Sequence, residues 1–280
     1  MRLLLTGAAG MLGHDVTAAA ERAGHDVTPL SRRELDIRDA DAVHAAIAAA
    51  RPDAVINCAA WTDVDGAEAH EADATALNGA AAGHVAAAAA RAGAFTLQIS
   101  TDYVFDGTAT TPYLESAPTG PRSAYGRSKL AGELAVAEHA PSAHAIVRTA
   151  WLFGPHGRNF VATMRKLARE RDELTVVDDQ VGCPTFTGHL ATALLTIAER
   201  RLGGIRHVAG GGACSWHDLA AATFQATGAE IELHRGRTAD LDRPAPRPAY
   251  SVVRSERPDT PVLPPWQEGL HAYLELGVTA

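Results

Sequence analysis

The chain opens with MRLLLTGAAGMLG (residues 1–13), a short apolar segment followed by glycines at a G-x-x-G-x-x-G spacing. Residues 3–5 predict a buried strand, and apolar side chains at helical spacing predict a helix that ends near Gly24. Glycines between a strand and a helix allow a sharp turn and a close approach to a pyrophosphate, which the helix N-terminus binds. A P-loop is excluded because the Gly-Lys-Ser/Thr ending is absent. The pattern is typical of the first unit of a dinucleotide-binding domain.

The alternation of strand and helix continues to about residue 150. Further strands are predicted at residues 25–30, 54–59, 95–100 and 145–150, and helices at 40–50, 74–92 and 125–138. Such alternation favours an α/β fold, a doubly wound parallel sheet of the Rossmann type. Residues 1–150 are therefore predicted to form the dinucleotide-binding domain.

After residue 150 the rhythm changes. Helices are predicted at residues 160–170, 189–200 and 216–227, with a short strand at 174–177. Seven of the fifteen prolines lie between Pro244 and Pro265, a segment expected to be ordered loop. We interpret residues 151–280 as mainly a smaller substrate-binding region that is interleaved with the first domain.

Composition excludes several classes of function. The 280 residues are 46% hydrophobic and carry a net charge of −8, which disfavours nucleic acid as a partner. No apolar stretch reaches the ~20 residues of a membrane span, and no signal peptide is predicted. Cys58, Cys183 and Cys214 are widely spaced without a C-x-x-C pair, so we expect free thiols and a cytoplasmic location. The thirteen histidines have no zinc-site spacing and are expected on the surface, so no metal site is predicted, and a magnesium requirement stays open.

The residues after the second predicted strand bear on the choice of cofactor. Ser31-Arg32-Arg33 stands where an acidic residue binds the ribose hydroxyl in NAD-dependent proteins. Arginine attracts a 2′-phosphate, so the sequence favours NADPH, with NADH open and at least one of the two arginines expected to be solvated. Asp36 and Ile37 are expected to cover the adenine.

Tyr125 and Lys129 form a Tyr-x-x-x-Lys pair in a chain with five tyrosines. The i, i+4 spacing places both side chains on one helix face. An ammonium beside a phenol is expected to lower the pKa of the phenol from about 10, so that tyrosine can exchange a proton. Thr101, directly after the fourth strand, is a candidate donor to a substrate oxygen. Ser-Thr pairs at such positions are also common as helix caps.

These motifs carry a family resemblance. The glycine turn, STDYVFDG (residues 100–107) and the Tyr125/Lys129 pair resemble extended short-chain dehydrogenases/reductases. Four further motifs are similar to those of the dTDP-4-dehydrorhamnose reductase family: NCAAWTDVD (57–65), RTAW (148–151), DQVGCPT (179–185) and RPAYS (247–251).

The resemblance implies a set of catalytic roles. Tyr125 would give a proton to the C4 carbonyl oxygen of a dTDP-4-keto-6-deoxy sugar as hydride arrives from the nicotinamide. Lys129 would bind the nicotinamide ribose, and Thr101 would hold the same carbonyl oxygen. The residues implied for the dinucleotide are Gly7, Gly10, Met11, Leu12, Gly13, Ser31, Arg32, Asp36, Ile37, Ala60, Trp61, Thr62, Tyr125 and Lys129. Those implied for the nucleotide sugar are Thr101, Asp102, Tyr103, Trp151, Gln180 and Arg247.

Several alternatives remain at this point. The resemblance implies dTDP-4-dehydro-6-deoxy-L-mannose as the substrate and dTDP-L-rhamnose as the product. Gly66 and Tyr250 depart from the family pattern, so a closely related dTDP-4-keto-6-deoxy sugar is the alternative substrate. Trp151 also has an interpretation as core packing. A non-catalytic NADP-binding subunit, resembling the regulatory subunit of methionine adenosyltransferase, is the rival function, and a homodimer is possible.

Overall fold

The computed structural model describes residues 1–277, in which twelve strands and ten α-helices alternate. The strands are β1 (Arg2–Thr6), β2 (Asp26–Leu30), β3 (Ala54–Asn57), β4 (Phe95–Thr101), β5 (His144–Thr149), β6 (Leu152–Phe153), β7 (Glu173–Val177), β8 (Val181–Gly182), β9 (Thr185–Phe186), β10 (Gly204–His207), β11 (Cys214–Ser215) and β12 (Glu232–Gly236). The helices are α1 (Met11–Arg22), α2 (Ala40–Ala50), α3 (Val64–Ala69), α4 (Glu71–Thr75), α5 (Ala81–Arg91), α6 (Ala124–His139), α7 (Phe160–Glu170), α8 (Thr187–Arg200), α9 (Trp216–Thr227) and α10 (Trp266–Glu275).

A six-stranded parallel sheet, in the order β10-β5-β4-β3-β1-β2, forms the centre of the fold. Successive side chains of β1 enter different cores, because side chains alternate across a strand. Leu3 and Leu5 pack with α1 and α8, whereas Leu4 packs with α2 and α5. Helices on both faces explain why the strands are apolar throughout. The predicted doubly wound α/β fold is confirmed.

The second region of the sequence contributes directly to this sheet. Strand β10 pairs with β5, and α8 packs against α1 over the face of the sheet. Smaller pairs, β12 with β7, β11 with β8 and β6 with β9, lie outside it. β10, α3, α10 and these pairings were not predicted from the sequence. β10, α3 and the paired strands are two to six residues long and carry little periodicity, whereas α10 is a ten-residue helix that begins directly after the proline-rich segment.

The helix predicted at residues 74–92 is interrupted. A π-helical turn, Ala76–Ala80, separates α4 from α5 and contains the buried Asn78. The Asn78 side-chain amide donates to the Ser128 hydroxyl at 2.9 Å, and its Oδ1 accepts from the Trp61 backbone N–H at 2.8 Å. Through these two hydrogen bonds, the Asn78 side chain connects the segment that contains Trp61 to helix α6. The alanine-rich sequence of residues 74–92 predicts one continuous helix, because it carries no sign of these tertiary contacts of Asn78.

The expectation that the histidines lie on the surface is wrong for His207 and His217, which are buried. His207 Nδ1 lies 3.1 Å from the Tyr113 carbonyl oxygen, so a neighbouring backbone satisfies its polar ring. Burial lowers the pKa of His207. Within residues 1–277, no helix combines the length and apolarity needed to cross a bilayer.

Candidate active site

A cavity of about 710 Å³ lies at the carboxyl edge of the central sheet. In a parallel α/β sheet this edge is where ligands bind, because the loops after the strands open there. The structure brings together sixteen of the residues predicted from the sequence. They are Gly7, Gly10, Met11, Leu12, Gly13, Arg32, Asp36, Ile37, Ala60, Thr62, Thr101, Asp102, Tyr103, Tyr125, Lys129 and Trp151.

Gly7 shows why the turn after β1 must be glycine. Its φ is +69°, in the left-handed region, and a Cβ at this position would lie 2.6 Å from the Ala59 backbone nitrogen. The turn therefore packs directly against the backbone that follows β3 and leads into α1. The N-terminal end of α1 faces the cavity, where its free N–H groups and partial positive charge favour a phosphate.

The residues after β2 form the far end of the cavity. The guanidinium of Arg32 is exposed, and Arg32 forms no hydrogen bond or ion pair with the other described residues. Asp36 binds Arg38 through Nε at 3.0 Å, and this hydrogen bonding lowers the pKa of Asp36 to about 2. The Ser31 backbone N–H donates to Glu34 at 2.7 Å, and Ser31 lies just outside the cavity lining.

Helix α6 carries the Tyr125/Lys129 pair at its first two turns. Ser123 caps the helix by accepting from the Gly126 backbone N–H at 3.1 Å. Lys129 is buried, and its ammonium donates to the Ile99 carbonyl oxygen at 2.7 Å. Both side chains face the cavity, as the i, i+4 spacing predicts.

The structure corrects the predicted direction of the Tyr125 pKa. Desolvation by the surrounding protein raises the pKa of Tyr125 to about 12, against a lowering by hydrogen bonding with Thr101. Burial also lowers the pKa of Lys129 to about 8. The expected lowering of the phenol pKa by Lys129 is wrong here because desolvation is the larger effect. A phenol with a raised pKa stays protonated at neutral pH and is suited to donate a proton.

Thr101 and Asp102 follow the end of β4 and are both buried. The Thr101 hydroxyl donates to Asp102 Oδ1 at 2.9 Å and accepts from the Tyr103 backbone N–H at 3.2 Å. Burial raises the pKa of Asp102 to about 6, although the hydrogen bond from Thr101 lowers it. Asp102 Oδ2 has no well-aligned hydrogen bond among the described residues. A buried acceptor with no partner beside the cavity is available to a ligand hydroxyl.

Trp151 forms the opposite wall of the cavity. Its backbone has a φ of +47°, and its indole stacks on that of Trp216. A Cβ on Gly182 would lie 2.4 Å from the Trp151 ring, so only glycine leaves room for the indole. Trp151 also packs against buried apolar side chains. Trp151 therefore both lines the cavity and packs against the apolar core, so each of the two interpretations holds for part of its side chain.

Three other predicted residues lie outside the cavity lining. Trp61 donates from its indole to the Asp63 carbonyl oxygen at 2.8 Å. Gln180 is buried and accepts from the Trp216 indole at 3.1 Å, so it contacts the cavity wall from behind. Arg247 pairs with Asp65 at 2.8 Å and lines a neighbouring cavity of about 240 Å³ that also contacts Tyr103.

Trp216, Arg158 and Cys58 line the cavity although the sequence analysis assigned them no role. Arg158 is exposed and has no hydrogen bond or ion pair within residues 1–277. Its loop lies over the start of α1, where the rings of His156 and His14 are 4.4 Å apart. Cys58 lies within the NCAAWTDVD motif, whereas Arg158 and Trp216 belong to no quoted motif, and only the tertiary fold brings their segments to the cavity.

Two groups of acidic and histidine side chains lie away from the cavity. Asp178, His217 and Asp218 offer ligand atoms within 4.8 Å of one another. Asp178 already accepts from Ser215 at 2.6 Å and pairs with Arg235. The other group is Glu173, Glu232 and His234. Neither group contributes to the cavity lining.

Comparison with known proteins identifies the family. The family model described as RmlD substrate binding domain matches residues 1–278. The chain is 47% identical over 262 residues to a dTDP-4-dehydrorhamnose reductase from Streptomyces griseus, covering 91% of this chain and 86% of that protein. The chain belongs to the dTDP-4-dehydrorhamnose reductase family.

Other members of the reductase family support this assignment. A dTDP-4-keto-6-deoxy-D-glucose reductase from Streptomyces niveus is 44% identical over 255 residues, covering 90% of this chain and 88% of the relative. The crystal structure of the Bacillus anthracis dTDP-4-dehydrorhamnose reductase in complex with NADP has a TM-score of 0.95 and 35% identity. The superposition covers 98% of this chain and 99% of the Bacillus anthracis chain. Reductases of this family are NAD(P)H-dependent oxidoreductases, as predicted from the sequence.

Proposed function

We propose that this protein reduces the C4 ketone of dTDP-4-dehydro-6-deoxy-L-mannose, or of a closely related dTDP-4-keto-6-deoxy sugar, with NADPH. For the first substrate the product is dTDP-L-rhamnose. The observation that carries the proposal is the position of Tyr125, Lys129 and Thr101 in one cavity with the glycine turn. A proton donor and a dinucleotide-binding turn in a common cavity are the two parts that carbonyl reduction requires.

The cavity fits NADPH. Gly7 gives the turn its close backbone approach, and the N-terminus of α1 favours the pyrophosphate. Arg32, an exposed cation with no ion pair in the described chain, would hold the 2′-phosphate. Asp36, Ile37, Ala60 and Thr62 would line the adenine and ribose sides. When bound, NADPH supplies the hydride for the carbonyl carbon.

The protein supplies the proton and holds the oxygen. Tyr125 is protonated at neutral pH because its pKa is raised, and it would donate this proton to the C4 oxygen. Thr101, whose hydroxyl donates to Asp102 in the unliganded protein, would turn this donor to the same C4 oxygen when substrate is bound. Lys129 would bind the ribose hydroxyls from its position beneath the cavity. General acid catalysis of this kind contributes about 10²- to 10⁴-fold to the rate.

Residues 151–280 would supply most of the nucleotide-sugar side. Trp151, stacked on Trp216, would contact the deoxysugar, and Asp102 Oδ2 would accept from one of its hydroxyls. Tyr103 lies between the main cavity and the neighbouring one lined by Arg247, which would extend toward the nucleotide. Gln180 would act through the Trp216 indole.

The rival function, a non-catalytic NADP-binding subunit, is not favoured, since the relatives are named as reductases and the catalytic residues are intact. The cytoplasm is the proposed location, because the three cysteines are free thiols. A homodimer stays a prediction, and the sequence predicts no magnesium requirement.

Incubation with dTDP-4-dehydro-L-rhamnose and NADPH tests the proposal. We expect loss of reduced cofactor and one equivalent of reduced sugar nucleotide, whose C4 configuration NMR identifies. Tight NADP⁺ binding without turnover of any dTDP-4-keto-6-deoxy sugar would contradict it. A parallel assay with NADH measures the cofactor preference, and the same assay with a chelator tests for a metal requirement.

A further inference from the structure

Three residues of helix α6 face strand β4 at intervals of four. Tyr125, Lys129 and Glu133 lie on one helix face, since four residues make about one turn. Each lies beside a different one of three consecutive β4 residues. The Ile99 carbonyl oxygen accepts from Lys129 at 2.7 Å, and the Ser100 hydroxyl donates to Glu133 at 2.6 Å. Tyr125 and Thr101 line the same cavity.

Glu133 is the member of this series that does not line the cavity. It is 3% exposed and forms a two-point ion pair with Arg148 of β5, at 2.8 and 2.6 Å. Arg148 is 2% exposed and also lies over the Phe105 ring, 5.1 Å from its centroid. A buried ion pair gives little net stability compared with apolar packing, so stability alone does not account for it.

The charge of Glu133 acts on Lys129. Burial lowers the pKa of Lys129 to about 8, and the Glu133 carboxylate, one helical turn away, opposes this lowering. Inside the protein, Arg148 pairs with both oxygens of Glu133. The Glu133 carboxylate is thus a buried negative charge that favours the protonated form of Lys129 without lining the cavity.

We propose that Glu133 is a positioning residue of the reductase, which sets the register of α6 on β4 and keeps Lys129 protonated beneath the cavity. The inference rests on the proposed function. Its structural basis is the pairing of Glu133 with Ser100 on one side and with Arg148 on the other.

Of the titratable groups near Tyr125, Lys129 and Glu133 whose pKa is shifted, only Lys129 has a pKa near 8. Cys58, at the end of β3, has a pKa raised to about 12 by burial and stays neutral. His207 of β10 faces Arg148, and burial lowers its pKa, so it is neutral as well. Burial also raises the pKa of Tyr103, while that of Asp102 is about 6. Activity that requires protonated Lys129 should therefore fall above about pH 8.

The test is the pH profile of kcat/KM for the Glu133→Gln variant, with its NADP⁺ affinity. Removing the carboxylate leaves desolvation of Lys129 unopposed, so the alkaline limb should move to lower pH. A shift of one pH unit reduces activity about fivefold at pH 8 and much less at pH 6.5. Glu138→Gln makes the same substitution at an exposed position of α6 and should leave the profile unchanged.

A second variant covers the case in which Glu133→Gln leaves Arg148 uncompensated and does not fold. Glu133→Gln/Arg148→Met removes both buried charges and should fold, with the alkaline limb shifted in the same direction. An alkaline limb at the wild-type pH in the folded variants, whatever their thermal stability, would overturn the inference. The proposed function fails separately, if the wild-type protein itself does not oxidise NADPH with a dTDP-4-keto sugar.

Discussion

The indole of Trp151 stacks face to face on the indole of Trp216, with ring centroids 3.5 Å apart and planes 4° from parallel. Trp216 begins α9, whereas Trp151 follows β5, so the stack joins the second region to the end of the central sheet. Gln180 accepts from the Trp216 indole and holds this ring in place. The left-handed backbone of Trp151 is sustained by these contacts.

Trp216→Ala removes the support behind Trp151. We expect the KM for the nucleotide sugar to rise about tenfold, since a stacked aromatic pair contributes about 0.5–1.5 kcal/mol beyond its buried area. The KM for NADPH should change little, because α1 and the glycine turn lie across the cavity. Steady-state kinetics with each substrate varied in turn checks this. A rise confined to the NADPH KM would assign Trp216 to the cofactor side instead.

Tyr125→Phe removes the proposed proton donor and keeps the ring. We expect kcat to fall by about 10²- to 10⁴-fold, the usual contribution of general acid catalysis. NADP⁺ binding, followed by calorimetry, should stay nearly unchanged, because Lys129 remains bound to the Ile99 carbonyl oxygen. Full activity in this variant would refute the role of Tyr125.

Arg32→Ala and Arg33→Ala form a matched pair of adjacent exposed arginines. Arg32 lines the cavity and Arg33 does not. We expect Arg32→Ala to raise the KM for NADPH about tenfold and to leave that for NADH unchanged, because only NADPH carries the 2′-phosphate. Arg33→Ala should leave both values as they are. Equal effects of the two substitutions would argue for a general surface charge rather than a phosphate site.

Arg158→Ala tests the loop that lies over α1. Arg32, Arg158 and Lys129 are the cationic side chains among the cavity-lining residues, and Lys129 is buried beneath the cavity. Arg158 is therefore positioned for a ligand diphosphate, and its loss should raise the KM for NADPH or for the nucleotide sugar several-fold with kcat largely kept. Arg171→Ala, an exposed arginine outside the lining, is the control. Unchanged KM values for both ligands would exclude a diphosphate contact.

Asp102 predicts a pH dependence of stability. Its pKa is raised from 3.8 to about 6, so the folded state holds a proton that the unfolded state has released between these values. The contribution of Asp102 to stability is therefore fully present below about pH 4 and is lost as pH rises through about 6. Asp102→Asn should gain stability relative to wild type on going from pH 4 to pH 7. Thermal unfolding of both proteins at the two pH values checks the sign, and an opposite trend would mean that Asp102 is ionised favourably in the fold.

Much of the architecture follows from local pattern. The glycine turn, the apolar strands and the helices α2, α7 and α9 lie where the sequence predicts them, because each has its own periodicity or turn chemistry. The i, i+4 spacing of Tyr125 and Lys129 likewise suffices to place both side chains on one helix face. The direction of the Tyr125 pKa shift does not follow from spacing, since desolvation depends on everything that surrounds the ring.

The sequence alone determined the parallel α/β fold, the glycine turn and the family, because those depend on residues that are adjacent or one helical turn apart. Tertiary structure alone determined that β10 completes the sheet, that Trp216 supports Trp151 and that Glu133 pairs with Arg148 beneath Lys129. These contacts join residues that are 15 to 65 positions apart in the sequence, and no local pattern specifies which distant side chains will meet when the layers pack.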